Sequence, residues 1–418
     1  MKLVSLGFLF LWVFVTALYG QGCDGVLYAT PGFQVQRTNG IAFGSAKQPT
    51  FVNPNATTTL RLDLYEPHGD TRTARPLIVM AFGGAFVVGT RTSPDIVELC
   101  NRWTRLGYVC ASIDYRLTPT LATQNQAKDF YLAVIKAVHD MKAAIRFFYR
   151  DAAGTNLYRI DTQNIFIGGV SAGAITALHA GYIRSEAELP PAILADTAGL
   201  GGLEGLSGNP GYSSRAKGII GLCGALGDTA WVDRDEIPAI LLHGDQDDIV
   251  PIDKGRPEIA LLNIPLDIYG SRAIHQQANR VGVNTTLVVW PGAGHTPFIL
   301  GNQTGAYTDS AYWATRNWLY QQVCGQVLNR NPEQGRKPPI SLAENPASNL
   351  TTFHNQGARA MALTLFDGKG QQVTQMVVES SSSYQLNIQN WSAGLYFWEA
   401  TDLYGHQERY TGRLVVVH

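Results

Sequence analysis

Residues 165–178 read IFIGGVSAGAITAL and contain the most informative local pattern in the chain. Its first three residues form an apolar run typical of a buried strand, and residues 174–178 predict a helix. Between them lies a G-x-S-x-G motif centred on Ser171. A tight turn from strand to helix would lift the serine hydroxyl out of the sheet and direct the helix N-terminus at any negative charge that develops there. We therefore predict that Ser171 is a nucleophile; a structural serine in a turn is the alternative.

The composition is that of a folded protein with a large apolar core. The chain has 418 residues, of which 45% are hydrophobic and 16% charged, and this length allows two domains. Its 32 basic and 33 acidic side chains nearly cancel, and the sequence contains no basic run. We therefore expect neither a nucleic acid nor an anionic membrane surface as partner, and a neutral or mixed substrate instead.

The N-terminus has the pattern of a secretory signal peptide. Lys2 precedes an apolar stretch from about Leu3 to Leu18, and small residues follow at Gly20 and Gly22. A membrane anchor would need a longer apolar core and charged flanks. A lipoprotein signal that ends at Cys23 is a further alternative. No other apolar run has the roughly 18 residues of a spanning helix, so we expect no stable membrane insertion.

Five cysteines follow this segment: Cys23, Cys100, Cys110, Cys223 and Cys324. In an exported protein they can oxidise, and their odd number leaves at least one without a partner in the chain. Their spacing does not define the pairing. The sequence has no C-x-x-C pair, so a zinc site is not expected.

From Leu60 to Cys324 the chain alternates short apolar strands with helices, which predicts βαβ units and a mostly parallel sheet. The predicted strands are Leu60–Tyr65, Leu77–Phe82, Tyr108–Ile113, Ile165–Ile167, Gly218–Leu222, Ile240–Leu242 and Leu287–Trp290. The predicted helices cover residues 94–105, 129–149, 174–178 and 312–323, and the charged residues 140–146 are interpreted as a solvated or salt-bridged helix face. Residues 190–214 are glycine-rich and are predicted to form a loop near the rim of the sheet, where it could line or cover a pocket.

The character of the chain changes after Cys324. Residues 325–344 are polar and contain three prolines, which is typical of a linker. Residues 345–418 contain short β-like segments separated by turn residues, and they predict a small β-sandwich. These segments are Ala362–Phe366, Val373–Val378, Tyr384–Ile388, Leu395–Ala400 and Arg413–Val417.

A serine hydroxyl becomes nucleophilic when a base takes its proton. His295 is the best placed of the nine histidines, because it lies in a glycine-rich loop after the last predicted strand of the sheet and can reach the edge where the strands end. His243 ends an earlier strand and is the rival; we interpret it as ordering its own turn. The segment that follows offers three carboxylates to orient the base, Asp245, Asp247 and Asp248.

These motifs resemble those of α/β-hydrolase carboxylesterases, including enzymes similar to hormone-sensitive lipase. Residues 243–251 (HGDQDDIVP) resemble the turn H-G-x-x-D-x-x-V-P of that fold, in which the acid aligns with Asp247. The resemblance implies an α/β-hydrolase fold and a catalytic triad of Ser171, His295 and Asp247, in the fold's chain order of serine, acid and histidine. It also implies a serine esterase that forms an acyl-enzyme and needs no metal or organic cofactor. Residues 113–117 resemble a strand-end motif of the same enzymes and are interpreted as structural.

The stretch FGGAF at residues 82–86 resembles the H-G-G-G-F loop of these esterases. That loop supplies backbone donors to the oxyanion that forms when an ester is attacked. The resemblance implies that the N–H groups of Gly84 and Ala85 act together with that of Ala172. Phe82 stands where most relatives have a histidine that orders the loop. A glycine-rich turn without a ligand is the alternative.

Other functions could use the same residues. A serine peptidase would have the same triad, but the sequence shows neither a gating domain before the hydrolase region nor an acidic pair for a peptide amine. The ester substrate could be a small molecule or a polymer, as for a polyester or polyhydroxyalkanoate depolymerase or a plant-wall acetyl or feruloyl ester hydrolase. A non-catalytic binding module of the same fold is the hypothesis of a different class.

The tail resembles the C-terminal sorting domain of type IX secretion in Gram-negative bacteria. The matching pieces are residues 345–349 (NPASN), 363–373 (LTLFDGKGQQV), 392–400 (SAGLYFWEA) and 412–417 (GRLVVV). An accessory or carbohydrate-binding β-sandwich is the alternative. The resemblance implies export through the periplasm to the cell surface or the medium, with the type IX machinery as partner. The predicted layout is a signal peptide (1–22), an α/β-hydrolase catalytic domain (23–324), a linker (325–344) and a sorting domain (345–418).

Overall fold

The computed structural model describes residues 23–49, 52–118, 127–258, 264–298, 306–326, 328, 340–357, 360–368, 370–402 and 409–417. The expected signal peptide and most of the expected linker lie outside these residues. The chain divides into two compact units, Met1–Val327 and Leu328–His418.

The first unit is built on an eight-stranded sheet. The strands of the first unit, which form this sheet and a smaller one, are β1 (Val35–Lys47), β2 (Thr57–Pro67), β3 (Arg75–Ala81), β4 (Val109–Ile113), β5 (Ile160–Val170), β6 (Gly218–Leu222), β7 (Ala225–Leu226), β8 (Ala239–Gly244), β9 (Lys254–Gly255), β10 (Ile268–Gly270) and β11 (Thr285–Trp290). The main sheet has the order β1-β2-β4-β3-β5-β6-β8-β11, and the three short strands form a second sheet in the order β7-β10-β9. In the main sheet β2 is antiparallel to both neighbours, and every pair from β4 to β11 is parallel.

Helices cover the central strands. They are α1 (Pro94–Arg105), α2 (Ala127–Ala153), α3 (Ala172–Tyr182), α4 (Leu194–Gly199), α5 (Ser271–Val281) and α6 (Ala306–Cys324). All seven residues of β3 are buried, as expected for a parallel strand that is covered on both faces. No helix in the described part of the chain is both long enough and apolar enough to cross a membrane.

The predicted α/β-hydrolase fold is confirmed, since strands alternate with helices around a mostly parallel sheet. Helix α1 has the predicted bounds, with Ser93 as its N-cap residue and Pro94 in its first turn. The sequence reasoning missed β1 and α5. The burial pattern of β1 is irregular and mostly exposed, as an edge strand allows. Helix α5 has only three buried residues, Ser271, Ile274 and Ala278.

The region from 190 to 214 is more structured than a loop. It contains a 3₁₀ turn over Pro191–Ile193 as well as α4, and its later part is bound to α2. Buried Asp140 accepts hydrogen bonds from the guanidinium of Arg116 at 3.0 Å and from Ser207 Oγ at 2.6 Å. Lys142 and Arg146 both form ion pairs with Glu204 at 2.8 Å.

The charged face of α2 is therefore salt-bridged, but it is buried rather than solvated. Asp140, Lys142 and Arg146 are all less than 7% exposed. A charge that is removed from water is stable only when it is paired and hydrogen-bonded. These ion pairs hold residues 204–207 against the body of the unit.

A disulfide joins the two ends of the first unit. Cys23 and Cys324 are bonded, with their Cα atoms 5.5 Å apart and a sequence separation of 301. Nearby, the Gly25 N–H donates to Tyr320 Oη at 3.0 Å. The Cys23 sulfur is thus bonded to Cys324 and is not free to carry the lipid of a lipoprotein anchor. The other three cysteines, Cys100, Cys110 and Cys223, are free and buried.

The second unit contains two antiparallel sheets. Its strands are β12 (Ile340–Leu342), β13 (Leu350–Asn355), β14 (Met361–Phe366), β15 (Gln372–Val378), β16 (Ser382–Asn387), β17 (Gly394–Asp402) and β18 (Arg409–Val416). The sheets have the orders β12-β13-β16 and β15-β14-β17-β18. Side chains from both sheets, among them Phe353 and Trp398, form one core, which confirms the predicted β-sandwich.

The two ends of this unit are joined to each other. The side chain of Asn345 accepts a hydrogen bond from the Val415 N–H at 2.8 Å and donates one to the Arg413 carbonyl at 2.9 Å. Ala347 forms a bridge with Val416. Contacts therefore connect the N-P-A-S-N and G-R-L-V-V-V stretches that the sequence singled out.

Candidate active site

Ser171 occupies a strained turn between β5 and α3. Its backbone has φ 53° and ψ −117°, a conformation that an L-residue adopts only when the surroundings impose it. The Ser171 N–H donates to the Leu222 carbonyl at 2.8 Å, and the Ser171 carbonyl accepts from the Ile175 N–H at 2.9 Å. The serine thus starts the helix and is fixed to the end of β6.

The two glycines of the G-x-S-x-G motif are needed for close backbone contact. A Cβ atom on Gly169 would lie 2.3 Å from the carbonyl carbon of Gly173. A Cβ atom on Gly173 would lie 2.1 Å from the carbonyl oxygen of Ala81, at the end of β3. Only glycine lets α3 start this close to the sheet.

Ser171, His295 and Asp247 form a chain of hydrogen bonds. Ser171 Oγ lies 2.9 Å from His295 Nε2, and His295 Nδ1 lies 2.7 Å from Asp247 Oδ2. Because a carboxylate can only accept, Nδ1 carries the ring proton and Nε2 is left to accept the serine proton. These residues follow β5, β8 and β11, all parallel, so their side chains meet at the carboxyl edge of the sheet.

Asp247 is a buried carboxylate with a full set of donors. Its Oδ1 accepts from the Ile249 and Val250 N–H groups at 3.1 and 2.9 Å. Its Oδ2 lies 2.7 Å from His295 and 3.1 Å from His243. Burial alone would raise the pKa of Asp247, but the hydrogen bonds from both histidines lower it to about 2. The carboxylate is therefore ionised at neutral pH.

His243 supports the turn that carries Asp247. Its Nε2 faces two acceptors, the Val250 carbonyl at 2.8 Å and the carboxylate of Asp247. Since both groups accept, Nε2 carries the proton, and Nδ1 accepts from Ser271 Oγ at 2.8 Å. His243 has no exposed surface and lies behind the acid, in a position to fix it.

The other two carboxylates of this segment lie elsewhere. Asp245 Oδ1 accepts from the Gly292 N–H at 2.7 Å and so holds the loop that carries His295. Asp248 is exposed. Gly244 also matters for this loop, because a Cβ atom there would lie 2.2 Å from the Ala293 carbonyl oxygen.

The 82–86 loop lies against Ser171. A Cβ atom on Gly83 would lie 3.4 Å from Ser171 Cβ. Gly84 and Ala85 have positive φ values of 122° and 55°, and their N–H groups donate to no acceptor within the described ranges. Ala172 is the first residue of α3, whose N-cap residue makes no side-chain cap bond. N–H groups without partners beside a nucleophile can bind an oxyanion.

Two residues that the sequence reasoning did not select hold this loop. Asp95 Oδ2 accepts a hydrogen bond from the Gly83 N–H at 2.9 Å. Tyr115 donates from its hydroxyl to the Phe82 carbonyl at 3.0 Å, and its ring stacks on the Phe82 ring at 4.3 Å. The sequence signal was available for Tyr115, which lies in the strand-end stretch 113–117. Phe82 thus contributes packing where a histidine would contribute hydrogen bonds.

A shallow pocket lies beside these elements. Ile175, one helical turn after Ser171, contributes to its wall, and Phe130 contacts Phe86 of the 82–86 loop with ring centroids 5.7 Å apart. Other lining residues are Tyr131, Val134, His179, Leu226, Leu266, Asp267 and Ile268. None of the described lining residues comes from 190–214. The pocket is mostly apolar and suits a neutral group.

Cys223 is a further neighbour of the site. Its thiol and the ligand atoms of Asp247 and His295 all lie within 4.8 Å of one another, a set that could hold a metal ion. Cys223 is fully buried and has a positive φ of 53°. Desolvation, together with the charge of Asp247, raises the pKa of its thiol to about 12.

Two family profiles match the chain. Residues 62–199 match the family described as BD-FAE, which covers the 82–86 loop and the Ser171 turn. Residues 345–416 match the secretion system C-terminal sorting domain. The chain thus contains a region similar to BD-FAE domains, followed by a region similar to C-terminal sorting domains. The sorting domain directs the chain to the type IX secretion machinery, and hence to the cell surface or the medium.

The solved structures that are similar to this chain include esterases. One is the propionate-bound form of a thermophilic esterase from the Planctomycetes species Thermogutta terrifontis, with 20% identity over 70% of this chain and 94% of that chain and a TM-score of 0.47. Another is a truncated carbohydrate esterase from gut microbiota, with 18% identity over 71% of this chain and 98% of that chain and a TM-score of 0.47. The comparison with curated proteins gave no match.

Proposed function

We propose that this chain is a secreted serine hydrolase that cleaves carboxylic esters, with Ser171 as nucleophile, His295 as base and Asp247 as the acid that orients the base. The observation that carries the proposal is the continuous hydrogen-bond chain from Ser171 Oγ to the ionised carboxylate of Asp247. A histidine with an unprotonated nitrogen 2.9 Å from a serine hydroxyl can take its proton during attack.

The reaction proceeds in two steps. Ser171 Oγ attacks the ester carbonyl while His295 Nε2 takes the hydroxyl proton, and the same nitrogen then gives that proton to the departing alcohol. Water repeats the sequence on the acyl-enzyme and releases the acid. Asp247 keeps the imidazole in the tautomer with the proton on Nδ1 and stabilises the imidazolium that forms in each step.

The backbone N–H groups of Gly84, Ala85 and Ala172 are proposed to bind the oxyanion. Support comes from the position of the 82–86 loop against Ser171 and from the absence of acceptors for its N–H groups in the described part of the structure. Donors that are already oriented stabilise the developing charge without reorganisation, and one such donor contributes roughly 3–4 kcal/mol. Backbone donors do not depend on the side chain, so alanine can serve at position 85.

The pocket supports an uncharged acyl or alcohol group. Its wall is formed mainly by aromatic and aliphatic side chains, and Asp267 is near the cationic groups of Lys254 and Arg256, at 3.5 and 3.6 Å. A neutral ester would enter such a pocket without leaving a charge unpaired.

We also propose that separate parts of the chain carry out export and catalysis. A signal peptide (1–22) would direct the chain to the periplasm, residues 23–324 would catalyse the reaction, and residues 325–344 would link them to the sorting domain (345–418). Support comes from the disulfide that closes the catalytic part at Cys324.

The test is a substrate panel with wild type, Ser171→Ala and, as matched control, Ser213→Ala, since both serines are half-buried. It contains p-nitrophenyl acetate, butyrate and octanoate, acetylated xylan, methyl ferulate and a peptide anilide. We expect ester hydrolysis in wild type and Ser213→Ala, and a loss of roughly 10⁴- to 10⁶-fold in Ser171→Ala. Amide hydrolysis alone would favour a peptidase, and ester turnover that survives in Ser171→Ala would refute the proposal.

A further inference from the structure

The fully buried thiol of Cys223 has no part in the proposed reaction, yet it lies beside two of the proposed catalytic residues. Cys223 directly follows β6, and its N–H donates to the Leu242 carbonyl of β8 at 2.8 Å. The backbone groups of Gly244, at the end of β8, and of Thr296, which follows His295, are near enough to lower the pKa of its thiol, against the larger effect of burial. The sulfur therefore lies next to the two segments that carry Asp247 and His295.

The donor set suits a borderline-soft metal ion. One sulfur, one carboxylate oxygen and one imidazole nitrogen lie within 4.8 Å of one another. Zn²⁺ binds such ligands at about 2.0 to 2.3 Å in tetrahedral geometry, which places the ligand atoms roughly 3.3 to 3.8 Å apart. Inward movements of about 1 Å or less would therefore complete three corners of a tetrahedron, and water would take the fourth.

We propose that Cys223, Asp247 and His295 form a binding site for a thiophilic divalent cation such as Zn²⁺ or Cd²⁺, and that the bound ion switches the hydrolase off. The inhibition rests on the proposed function, whereas the binding does not. The imidazole nitrogen that faces Asp247 is Nδ1, so Nδ1 is the nitrogen that the metal takes.

Proton balance explains the inhibition. The thiol loses its proton to solvent as the metal–sulfur bond forms, and Nδ1 loses its proton as the metal–nitrogen bond forms. The neutral imidazole regains a proton on Nε2, so that one proton per ion is released in total. Nε2 faces Ser171 Oγ at 2.9 Å. With a proton there, the imidazole donates to the serine and can no longer accept from it.

The ion would also prevent Asp247 from stabilising the charged form of His295. Its carboxylate would be neutralised by the metal and could no longer stabilise an imidazolium. Chelation restores the original hydrogen bonds, because no covalent bond of the protein is broken. The inhibition is therefore expected to be reversible.

Binding is tested first, on untagged full-length protein, by equilibrium dialysis against ZnCl₂ with wild type, Cys223→Ala and Cys110→Ala. Cys110 is the matched control, since it is also a free, fully buried cysteine on a strand of the same sheet. We expect about one Zn²⁺ per wild-type and Cys110→Ala chain, and at least a tenfold weaker affinity in Cys223→Ala. Equal affinity in all three proteins, or no bound zinc in wild type, would overturn the site.

A spectroscopic measurement covers the case that a variant does not fold. Co²⁺ added to wild type should produce the near-ultraviolet charge-transfer band of a cobalt thiolate, and zinc should abolish it. A bound Co²⁺ without that band would show that sulfur is not a ligand and would overturn the assignment.

Inhibition is measured as each protein's rate of p-nitrophenyl butyrate hydrolysis with zinc divided by its own rate with EDTA. This ratio should fall at least tenfold below one in wild type and Cys110→Ala and stay near one in Cys223→Ala. Zinc that binds through Cys223 without slowing hydrolysis would refute the switch. Zinc that binds to a protein without ester turnover in EDTA would refute the proposed function and leave the site intact.

Discussion

The Asp95 carboxylate accepts a hydrogen bond from the Gly83 N–H at 2.9 Å, and this bond ties helix α1 to the loop proposed to bind the oxyanion. Asp95 Oδ1 also accepts from the Ile96 N–H at 3.0 Å. Burial raises the pKa of Asp95, and the hydrogen bonds from Gly83 and Ile96 oppose this effect in part. The contact joins two segments that no local sequence pattern connects.

Removing this contact should slow catalysis without affecting substrate binding. In Asp95→Ala the loop loses its anchor and its donors lose their alignment, so we expect kcat to fall roughly 10- to 100-fold with little change in KM. Asp95→Asn keeps an acceptor oxygen and should retain most of the activity. Steady-state kinetics on p-nitrophenyl butyrate makes the comparison. Equal kcat values for Asp95→Ala and wild type would show that the loop needs no anchor.

Gly173, in the first turn of α3, should not tolerate a larger residue. In Gly173→Ala the new Cβ atom would lie 2.1 Å from the Ala81 carbonyl oxygen, so the helix must move away from β3. We expect a loss of about 3 kcal/mol or more in unfolding free energy, measured by urea denaturation. Gly199→Ala is the matched control, because a Cβ atom there meets nothing within 4 Å. A stable Gly173→Ala would contradict the packing described for the turn.

The acid stability of the first unit should depend on Asp247. Its pKa is lowered from 3.8 to about 2, so the folded state binds the Asp247 proton less readily than the unfolded state does. This contribution, about 2 kcal/mol, is present above pH ~4 and is lost as the pH falls towards ~2. Unfolding free energies of Asp247→Asn should accordingly be lower at neutral pH and fall less steeply over this interval. Exposed Asp248→Asn should follow wild type; if instead both variants match wild type, the carboxylate is not paired as described.

The Cys23–Cys324 disulfide should stabilise the first unit. Its loop of about 300 residues restricts the unfolded chain, which corresponds to roughly 5–6 kcal/mol in the entropic account. Cys23→Ser, Cys324→Ser and the double variant should all melt at the same lowered temperature, as should wild type in dithiothreitol. Scanning calorimetry provides the measurement. A wild-type melting temperature that reductant does not change would rule out this contribution.

Deletion of residues 345–418 should separate export from chemistry. The tail forms its own core and its own sheets, so the first unit does not need it to complete its main sheet. We expect the truncated protein to lose secretion into the medium and to keep its ester turnover when purified. Activity assays on culture supernatant and on purified protein test both parts. Loss of turnover in the purified truncated protein would place part of the catalytic unit in the tail.

Most of the fold could be predicted because strands and helices of the first unit carry strong local patterns. The predicted bounds of α1 and β6 are those of the structure, since a proline start and a fully buried apolar run are local signals. Two strands that escaped prediction are β1, whose burial alternates irregularly, and β13, whose sequence LTTFHN is mostly polar. Their place in a sheet depends on a partner strand rather than on their own composition.

The turn at Ser171 follows from local sequence, because a strand, two glycines and a helix in immediate succession leave the backbone few alternatives. The separate β-sandwich of the tail follows from a change in composition. The folded structure was needed to establish which carboxylate contacts His295, which cysteines pair, and that Asp95 and Cys223 lie beside the site. The reason is physical: these contacts depend on strand order and register, such as the pairing of Ala81 with Gly169. That register is set by packing of the whole core, and no local stretch of sequence contains it.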